Sequence, residues 1–549
     1  MSKQINVVRS TIGSVACTAL VAAAPFCVGT ANAAETKFYG DVSAAFSMNT
    51  QNTLKDNLGQ NSNPDTKNKL SMARYTLKLN ADTYVNENLS FVTKMRFVHD
   101  SSLDYLKQLQ KSNGQSVSGA DAAGHSDLSR MYSDGDVREL YADIKPNENV
   151  MLRLGKQQVV WGESDFFQAM DMVHGSDFTW RSFLEPSNED LRKPSVMANL
   201  TVQIPELSGK VQALFRPGAL NRLNSIGNLY DIQGGRWANQ PLKGVDFLTI
   251  TPYNYKQDGA DSRDNTWGLR WSGMASEINY SLSYLKTFNP NPVISMRSNI
   301  APFFGAPGVI PSGATSFEGT TPVGLAGEVI YPKVDIFGLT ASGYSAVADA
   351  VFSAEAAYIR DYAYNYGQQS WFSGAPVGPG GAVVPILGGP GYDGIKRKNV
   401  VRSMIRMDKS LPITQSILGT EKPAFFSVQL FDTWITNFKE SEDLVQLVGF
   451  GQRSKEHSTL LTVILDTSYA NGTINPAFVA GSDLSYSGGF AVPSVSFQYG
   501  KSWRLKLEYD YFWSSGKRTA ANNNIERDGS LFGYFANNNQ AYAKITYQF

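Results

Sequence analysis

Residues 503–513 read WRLKLEYDYFW. Trp503, Leu505, Leu507, Tyr509, Tyr511 and Trp513 fall on one side of an extended chain, and Arg504, Lys506, Glu508 and Asp510 on the other, because successive side chains of a strand point to opposite faces. One face is wholly apolar with aromatics at both ends, and the other is charged. A soluble sandwich also alternates, but it gains nothing from tryptophan and tyrosine at both ends of an outward stripe. A strand crossing a bilayer does, because its lipid-facing side is flanked by aromatic girdles while its other side lines a polar lumen.

The pattern recurs along the chain. Phe38, Gly40, Val42, Ala44 and Phe46 oppose Asp41, Ser43 and Ser47, and Tyr75, Leu77, Leu79 and Ala81 oppose Thr76, Lys78, Asn80 and Asp82. Leu140, Ala142 and Ile144 oppose Glu139, Tyr141 and Asp143, while Trp267, Leu269 and Trp271 flank Arg270. Short polar turns at 85–88, 146–149, 205–209, 273–276, 470–473 and 500–502 alternate with long segments near 50–69, 100–135, 158–195, 217–263, 289–328, 361–398 and 516–537. Short turns at one rim and long loops at the other are the arrangement of a membrane barrel, and compact soluble domains seldom carry so many long loops. With one longer periplasmic turn near 410–422, the reading is a transmembrane antiparallel β-barrel of about 18 strands. A count of about 16 is the alternative, because 438–487 reads either way.

The two ends agree with it. Lys3 and Arg9 precede the apolar run TIGSVACTALVAAAPFCVG, and Ala31-Asn32-Ala33 is a small-x-small cleavage pattern, so residues 1–33 are expected to be a signal peptide and 34–549 the barrel. Cys17 and Cys27 both lie in that leader, and a closed hydrogen-bonded sheet needs no disulfide. The 49 basic residues less Lys3 and Arg9 leave 47 against 49 acidic ones, a balance that argues against a nucleic-acid partner. The chain ends AYAKITYQF, an alternating strand whose Tyr547 and Phe549 resemble the terminal signal read by the barrel-assembly machinery of the outer membrane. The first strand begins near Lys37, which leaves no room for a plug domain ahead of the barrel.

Enzymatic chemistry finds little footing. The four histidines, His99, His125, His174 and His457, form no H-E-x-x-H, and there is no G-x-S-x-G elbow. His174 with Ser176 and Asp177 suggests a surface hydrolase, but sequence neighbours seldom form a triad. Asp134, Gly135 and Asp136 lack the ligand spacing of a calcium loop. No cofactor or metal is expected.

Residues 155–180, GKQQVVWGESDFFQAMDMVHGSDFTW, hold too many large apolar groups for a loop washed by water. The expectation is that the 158–193 loop folds inward and narrows the lumen, with Trp161, Glu163, Asp165, Phe166, Phe167, Asp171, His174 and Asp177 as constriction residues. The alternative is that it meets another protein. On the barrel wall, Lys94, Arg96, Arg153, Arg270, Arg402, Arg406, Arg504 and Lys506 fall on inward faces. Either they form a basic ladder favouring carboxylates, or they are paired charges that keep a polar lumen soluble and rigid.

The run RLGKQQVVWGESDFF (153–167) resembles the signature of the bacterial outer-membrane family catalogued as domain of unknown function 1302, as do EPSNEDLRKP (185–194) and AEAAYIRD (354–361). The chain departs from that pattern at His174-Gly175-Ser176-Asp177, where a proline-containing turn is expected. The resemblance implies an outer-membrane barrel, and it carries the family's links with hydrophobic-compound or sterol handling and with inner-membrane exporters. The expected function is a passive or facilitated channel for apolar or amphipathic small molecules, sterol-like, aromatic or carboxylate-bearing, embedded in the outer-membrane bilayer of a Gram-negative cell. Its rival is an outer-membrane export component that works with periplasmic and inner-membrane partners through the 410–422 turn and outer loops.

Overall fold

The computed structural model describes residues 34–51, 67–101, 103, 133–165, 167–178, 188–221, 229–230, 264–291, 293–296, 327–366, 394–446, 452–514, 532 and 539–549. The leader, Phe166, His125 and the glycine- and proline-rich stretches 301–326 and 372–393 lie outside the described residues. No helix among the described residues is long and apolar enough to cross a membrane. The chain crosses with strands.

Eighteen strands form one closed antiparallel ring. They begin with β1 (Glu35–Asn49), β2 (Leu70–Asn86), β3 (Leu89–Asp100), β4 (Asp134–Asn147), β5 (Val150–Gln157) and β6 (Ser195–Ile204). Next come β7 (Gly209–Arg216), β8 (Thr266–Ala275), β9 (Ile278–Phe288), β10 (Lys333–Ser345), β11 (Ala350–Tyr366) and β12 (Gly394–Leu411). The ring is completed by β13 (Ala424–Ile435), β14 (His457–Asp466), β15 (Ile474–Asp483), β16 (Gly488–Tyr499), β17 (Trp503–Ser514) and β18 (Gln540–Gln548). Each strand pairs with its sequence neighbours, and β1 pairs with β18 from Asp41↔Gln548 to Asn49↔Gln540. Phe549 exchanges both main-chain hydrogen bonds with Gly40 at 3.0 Å across that seam. The sheet thus closes on itself without a free edge along that seam, as a strand in lipid requires.

The outer surface has the predicted character. Leu505, Leu507, Tyr509 and Tyr511 are exposed, whereas Glu508 and Asp510 opposite them are buried. Trp267, Tyr284, Phe337 and Tyr358 touch in sequence along the outer ends of β8–β11, with centroids 4.9, 5.1 and 6.4 Å apart. Trp503, Tyr547 and Phe549 form a shorter row at the periplasmic end. These are the two girdles of a transmembrane barrel, so the fold itself sets the chain in an outer membrane.

The 438–487 region resolves the strand count. A short strand pair, Leu444–Gln446 with Gln452–Arg453, stands above the outer rim, and β14, β15 and β16 follow. The outer connection 484–487 is short, unlike its neighbours, and so is the periplasmic turn 346–349 that the sequence reading passed over. The 410–422 turn contains a short helix, α2 (Ile413–Ile417), and α1 (Asn188–Leu191) precedes β6. One irregularity matters for the lumen. Lys94 pairs with Glu139 but Met95 with Val137, so Arg138 is an extra residue in β4. That bulge turns Arg138 inward beside Glu139, both of them buried.

Candidate functional site

After Gln157 the chain leaves the wall of β5 and crosses the lumen. Asp165 meets Arg406 of β12 at 3.0 Å and accepts a hydrogen bond from Gln429 Nε2 of β13 at 2.9 Å. Arg406 Nη1 also donates to the Glu163 carbonyl at 2.9 Å. The carboxylate of Glu355, on β11, accepts the main-chain N–H of Met170 at 3.0 Å through one oxygen and that of Glu163 through the other. Phe167 packs among Phe431 of β13, Phe490 of β16 and Phe532, with centroids 5.7, 6.5 and 6.4 Å away. In an 18-strand ring β13–β16 lie opposite β5, so the segment reaches from one wall to the other.

Its depth follows from strand geometry. Glu355, Arg406 and Gln429 each stand five positions from the periplasmic end of their strands. At ~3.3 Å per residue and a tilt of ~40°, that is about 13 Å above the rim, half the height of the apolar band. The crossing is at mid-membrane.

Apolar packing fixes the crossing as firmly as its polar contacts. Val159, Trp161, Met170, Met172 and Val173 are buried in one cluster with Leu214, Leu285, Ile336, Ala357 and Val400 of the inner wall. Two wall glycines make the notches. A Cβ at Gly268 would lie 2.7 Å from the Trp161 ring, and one at Gly338 would lie 2.3 Å from the Met170 thioether. Trp161 Nε1 donates to Gln212 Oε1 at 2.8 Å, and the chain Gln212–Asn199–Gln157 continues at 3.0 and 3.1 Å across β7, β6 and β5. The indole is thus satisfied at both its faces and its N–H, which is what a buried tryptophan needs.

The return limb docks on the other side. Asp190 of α1 receives Lys78 at 2.7 Å, and its carbonyl accepts from Arg96 Nη1 at 2.9 Å. Lys94 meets Glu189 at 3.1 Å and Glu139 at 2.8 Å, and Arg138 donates to the Glu189 carbonyl at 2.8 Å. One segment is therefore held by β2–β4, β7–β13 and β16.

Several expected site residues take other roles. Trp161, Asp171 and His174 are buried rather than lumen-facing: the loop folds over them. Asp171 is clasped by Arg192 at 2.6 Å, and His174 Nε2 accepts the Val159 N–H at 2.9 Å. Ser176 instead accepts from Gln168 at 3.0 Å, and Asp177 pairs in a two-residue parallel strand with Leu229–Tyr230. His174, Ser176 and Asp177 form no triad, and the hydrolase reading gains nothing from the geometry. Phe166 lies outside the described residues. Glu163 and Asp165 remain partly exposed on the crossing segment.

The basic ladder is largely paired. Arg153 binds Asp143 through both oxygens at 2.7 and 2.9 Å and lies 4.0 Å over the Tyr141 ring. Arg406 meets Asp408 at 2.8 Å and Lys506 meets Glu508 at 2.5 Å. Arg402 donates to Tyr362 OH at 3.3 Å and touches Met172 Sδ. Arg270 stands near Glu163 and Glu355, and Arg504 is exposed at the periplasmic end. Tyr547 and Phe549 belong to the β1–β18 seam.

Burial pushes the His174 imidazole down to about 3, with Arg192 and Arg216 adding to the effect. Burial likewise pushes the Lys193 ammonium down to about 7, against the attraction of Asp177. Both pKa values are lower in the docked loop than in a solvated one. Between pH 6.5 and 3 for His174, and between 10.5 and 7 for Lys193, the released loop binds the extra proton, so docking weakens as pH falls. Asp171 acts the other way, since burial raises its carboxyl while Arg192 holds it down. From pH 6.5 to 5 the His174 contribution is about 2 kcal/mol. His174→Gln keeps an acceptor for the Val159 N–H but cannot titrate. We predict that acid-induced loop release, followed by bilayer conductance at pH 7 and 5, is blunted in this variant. Equal acid responses in wild type and variant would remove His174 from the account.

The family described as "Protein of unknown function (DUF1302)" matches residues 14–549. The chain belongs to this family. Among curated proteins no sequence matches it. Solved structures similar to this family member include OccAB3 of Acinetobacter baumannii, at 7% identity and TM-score 0.43, covering 94% of this chain and 99% of that one. OpdK of Pseudomonas aeruginosa, solved with vanillate, is similar at 10% identity and TM-score 0.42, covering 94% and 98%. Salmonella typhi OmpF in complex with daunomycin follows at 9% identity and 0.36, covering 94% and 97%.

The sequence reading missed Gln429, Gln212, Gly268 and Gly338. Parity alone places Gln429 on the inward face of AFFSVQLFDTWI, and a polar residue between Val428 and Leu430 was the available signal.

Proposed function

We propose that the protein is an outer-membrane channel for apolar or amphipathic small molecules, narrowed at mid-membrane by the 158–193 loop. The observation that carries this reading is the crossing segment pinned at Glu355, Arg406 and Gln429. A barrel of about 18 strands is wide enough for an aqueous channel, and selectivity in such a pore comes from what lines its narrowest level. Here that level offers the partly exposed Glu163 and Asp165 on a segment whose apolar side chains are packed against the wall.

Glu355→Gln tests it. The amide keeps the size of the side chain but presents one donor group to two main-chain N–H donors. Loss of one charge-assisted bond to a buried donor costs about 2 kcal/mol, roughly thirtyfold in the ratio of docked to released loop. Planar-bilayer recordings should show small steps for the wild type and frequent excursions to larger steps for the variant. Traces that match would mean the crossing does not govern passage.

The export-component reading draws on one observation. Ile413, Ile417 and Leu418, in and beside α2, are 61%, 69% and 48% exposed at the periplasmic end. An apolar knuckle on a turn is suited to contact with a periplasmic partner. Co-purification of such a partner that is lost in Ile413→Asp with Ile417→Asp is the result this reading requires.

A further inference from the structure

Phe167, at the far tip of the crossing segment, joins two buried apolar clusters. One holds Phe490, Phe512 and Phe532, the other Met404 and Phe431, and Leu460 packs against both. Strands β12, β13, β14, β16 and β17 thus contribute to one apolar bay. Phe167 meets Phe431 and Phe532 at interplanar angles of 69° and 88°, and Phe490 at 44°. Edge-to-face contact distinguishes an arene from a saturated ring of equal size, since it sets the positive ring edge against a negative face. Phe167 nevertheless remains partly exposed, whereas Ala169 and Met170 beside it are buried.

Two hydroxyls stand at the foot of this bay. Ser427 and Gln429 follow Phe431 along the inward face of β13, and Thr462 follows Leu460 on β14 as the register partner of Gln429. The partner of Thr462 on β15 is Gly481, and the Phe490 ring lies 2.3 Å from where a Cβ of Gly481 would stand. Ser427 and Thr462 are fully buried, and neither hydroxyl oxygen has a hydrogen-bond partner among the described residues. Such a group is costly to bury, and a hydroxyl on a bound ring would satisfy it. We infer that the seat of Phe167 is a binding site for a solute's aromatic ring bearing a hydroxyl, occupied in this structure by the chain's own phenylalanine. The seat has the size of a phenyl ring because a phenyl ring fills it. A solute enters by exchange with Phe167, its hydroxyl turned toward Thr462 and Ser427. Exchange unseats the tip of the crossing next to Asp165, so the cargo loosens the constriction it has to pass. That consequence rests on the channel reading, and the site itself does not.

Binding of phenol, benzene and cyclohexanol is measured by calorimetry on the purified protein in detergent, against protein-free micelles. Phe167→Ala frees the seat without altering a strand. It should bind phenol at least about tenfold more tightly than the wild type does, with benzene weaker and cyclohexanol weakest. Thr462→Val with Ser427→Ala, added to that variant, should abolish the preference for phenol over benzene and leave benzene binding as it was. In planar bilayers phenol should bring larger conductance steps to the wild type, and cyclohexanol at the same concentration should not. Equal phenol affinity in wild type and Phe167→Ala, cyclohexanol bound as well as phenol, or a phenol preference that survives loss of both hydroxyls would each overturn the inference. In a conducting protein, steps indifferent to saturating phenol would overturn the exchange. Potassium chloride conductance keeps the two readings apart. A protein that conducts while neither form binds phenol keeps the channel and loses the site. One whose Phe167→Ala form binds phenol with this selectivity, and which never conducts, keeps the site and loses the channel.

Discussion

Deleting residues 163–182 is expected to convert the barrel from a narrow conductor into a wide, steady pore. The deletion removes Asp165 from Arg406 and Gln429, the two N–H donors from Glu355, Phe167 from its aromatic nest, and Met170 and Met172 from the inner wall. It leaves all eighteen strands and both walls of every hairpin in place. Nothing in the ladder depends on the crossing segment, so the truncated barrel should still fold and show heat-modifiable mobility in gels. Single-channel recordings are expected to show a several-fold larger conductance with no closures, because a barrel of about 18 strands without an inserted loop leaves a continuous aqueous lumen. If the deletion conducts no better than the wild type, other outer loops fill the lumen, and the constriction must be sought there.

Replacing Gly268 with valine should reach part of the same state by a single side chain. The new Cβ would stand 2.7 Å from the Trp161 ring, 2.9 Å from Leu285 and 3.1 Å from the Tyr284 carbonyl. The indole cannot bend away, and it is buried on all sides with its N–H committed to Gln212. Overpacking of this sort costs about 1–3 kcal/mol, and the cheaper outlet is to expel Trp161 and the start of the loop. Larger and noisier conductance with an intact barrel is the expected record, together with red-shifted tryptophan fluorescence. Gly343→Ala is the control, since a Cβ there meets nothing nearer than 3.4 Å. A Gly268→Val protein with wild-type fluorescence and conductance would show that the notch is not what seats the loop.

Much of this architecture was legible in the sequence because a strand in a membrane leaves a period-two record that no tertiary contact can erase. WRLKLEYDYFW, together with the turns at 85–88, 146–149 and 500–502, placed strands and rims close to where they stand. The inward fold of 158–193 was legible from its load of aromatic and methionine side chains. The partners were not, since Glu355, Arg406 and Gln429 are drawn to the loop by a closure that parity cannot foresee. Two kinds of local detail escaped for physical reasons. The β4 bulge puts Arg138 and Glu139 on one face, which breaks the alternation by which faces were assigned. His174 and Asp171 read as functional because histidine and aspartate so often are, yet burial under the loop gives the one a main-chain donor and the other an arginine.

The crossing segment also ties docking of the loop to closure of the sheet. Its anchors are scattered: Glu355, Arg406, Gln429 and Phe490 lie far from Asp165 in sequence and on four different strands. Without β10–β13 and β16 in the wall the segment lacks these partners, and the notch at Gly338 does not exist. An incomplete ring therefore cannot hold the crossing, which takes a nearly complete sheet to seat. On the proposed channel reading, the narrow level is a property of the finished ring alone.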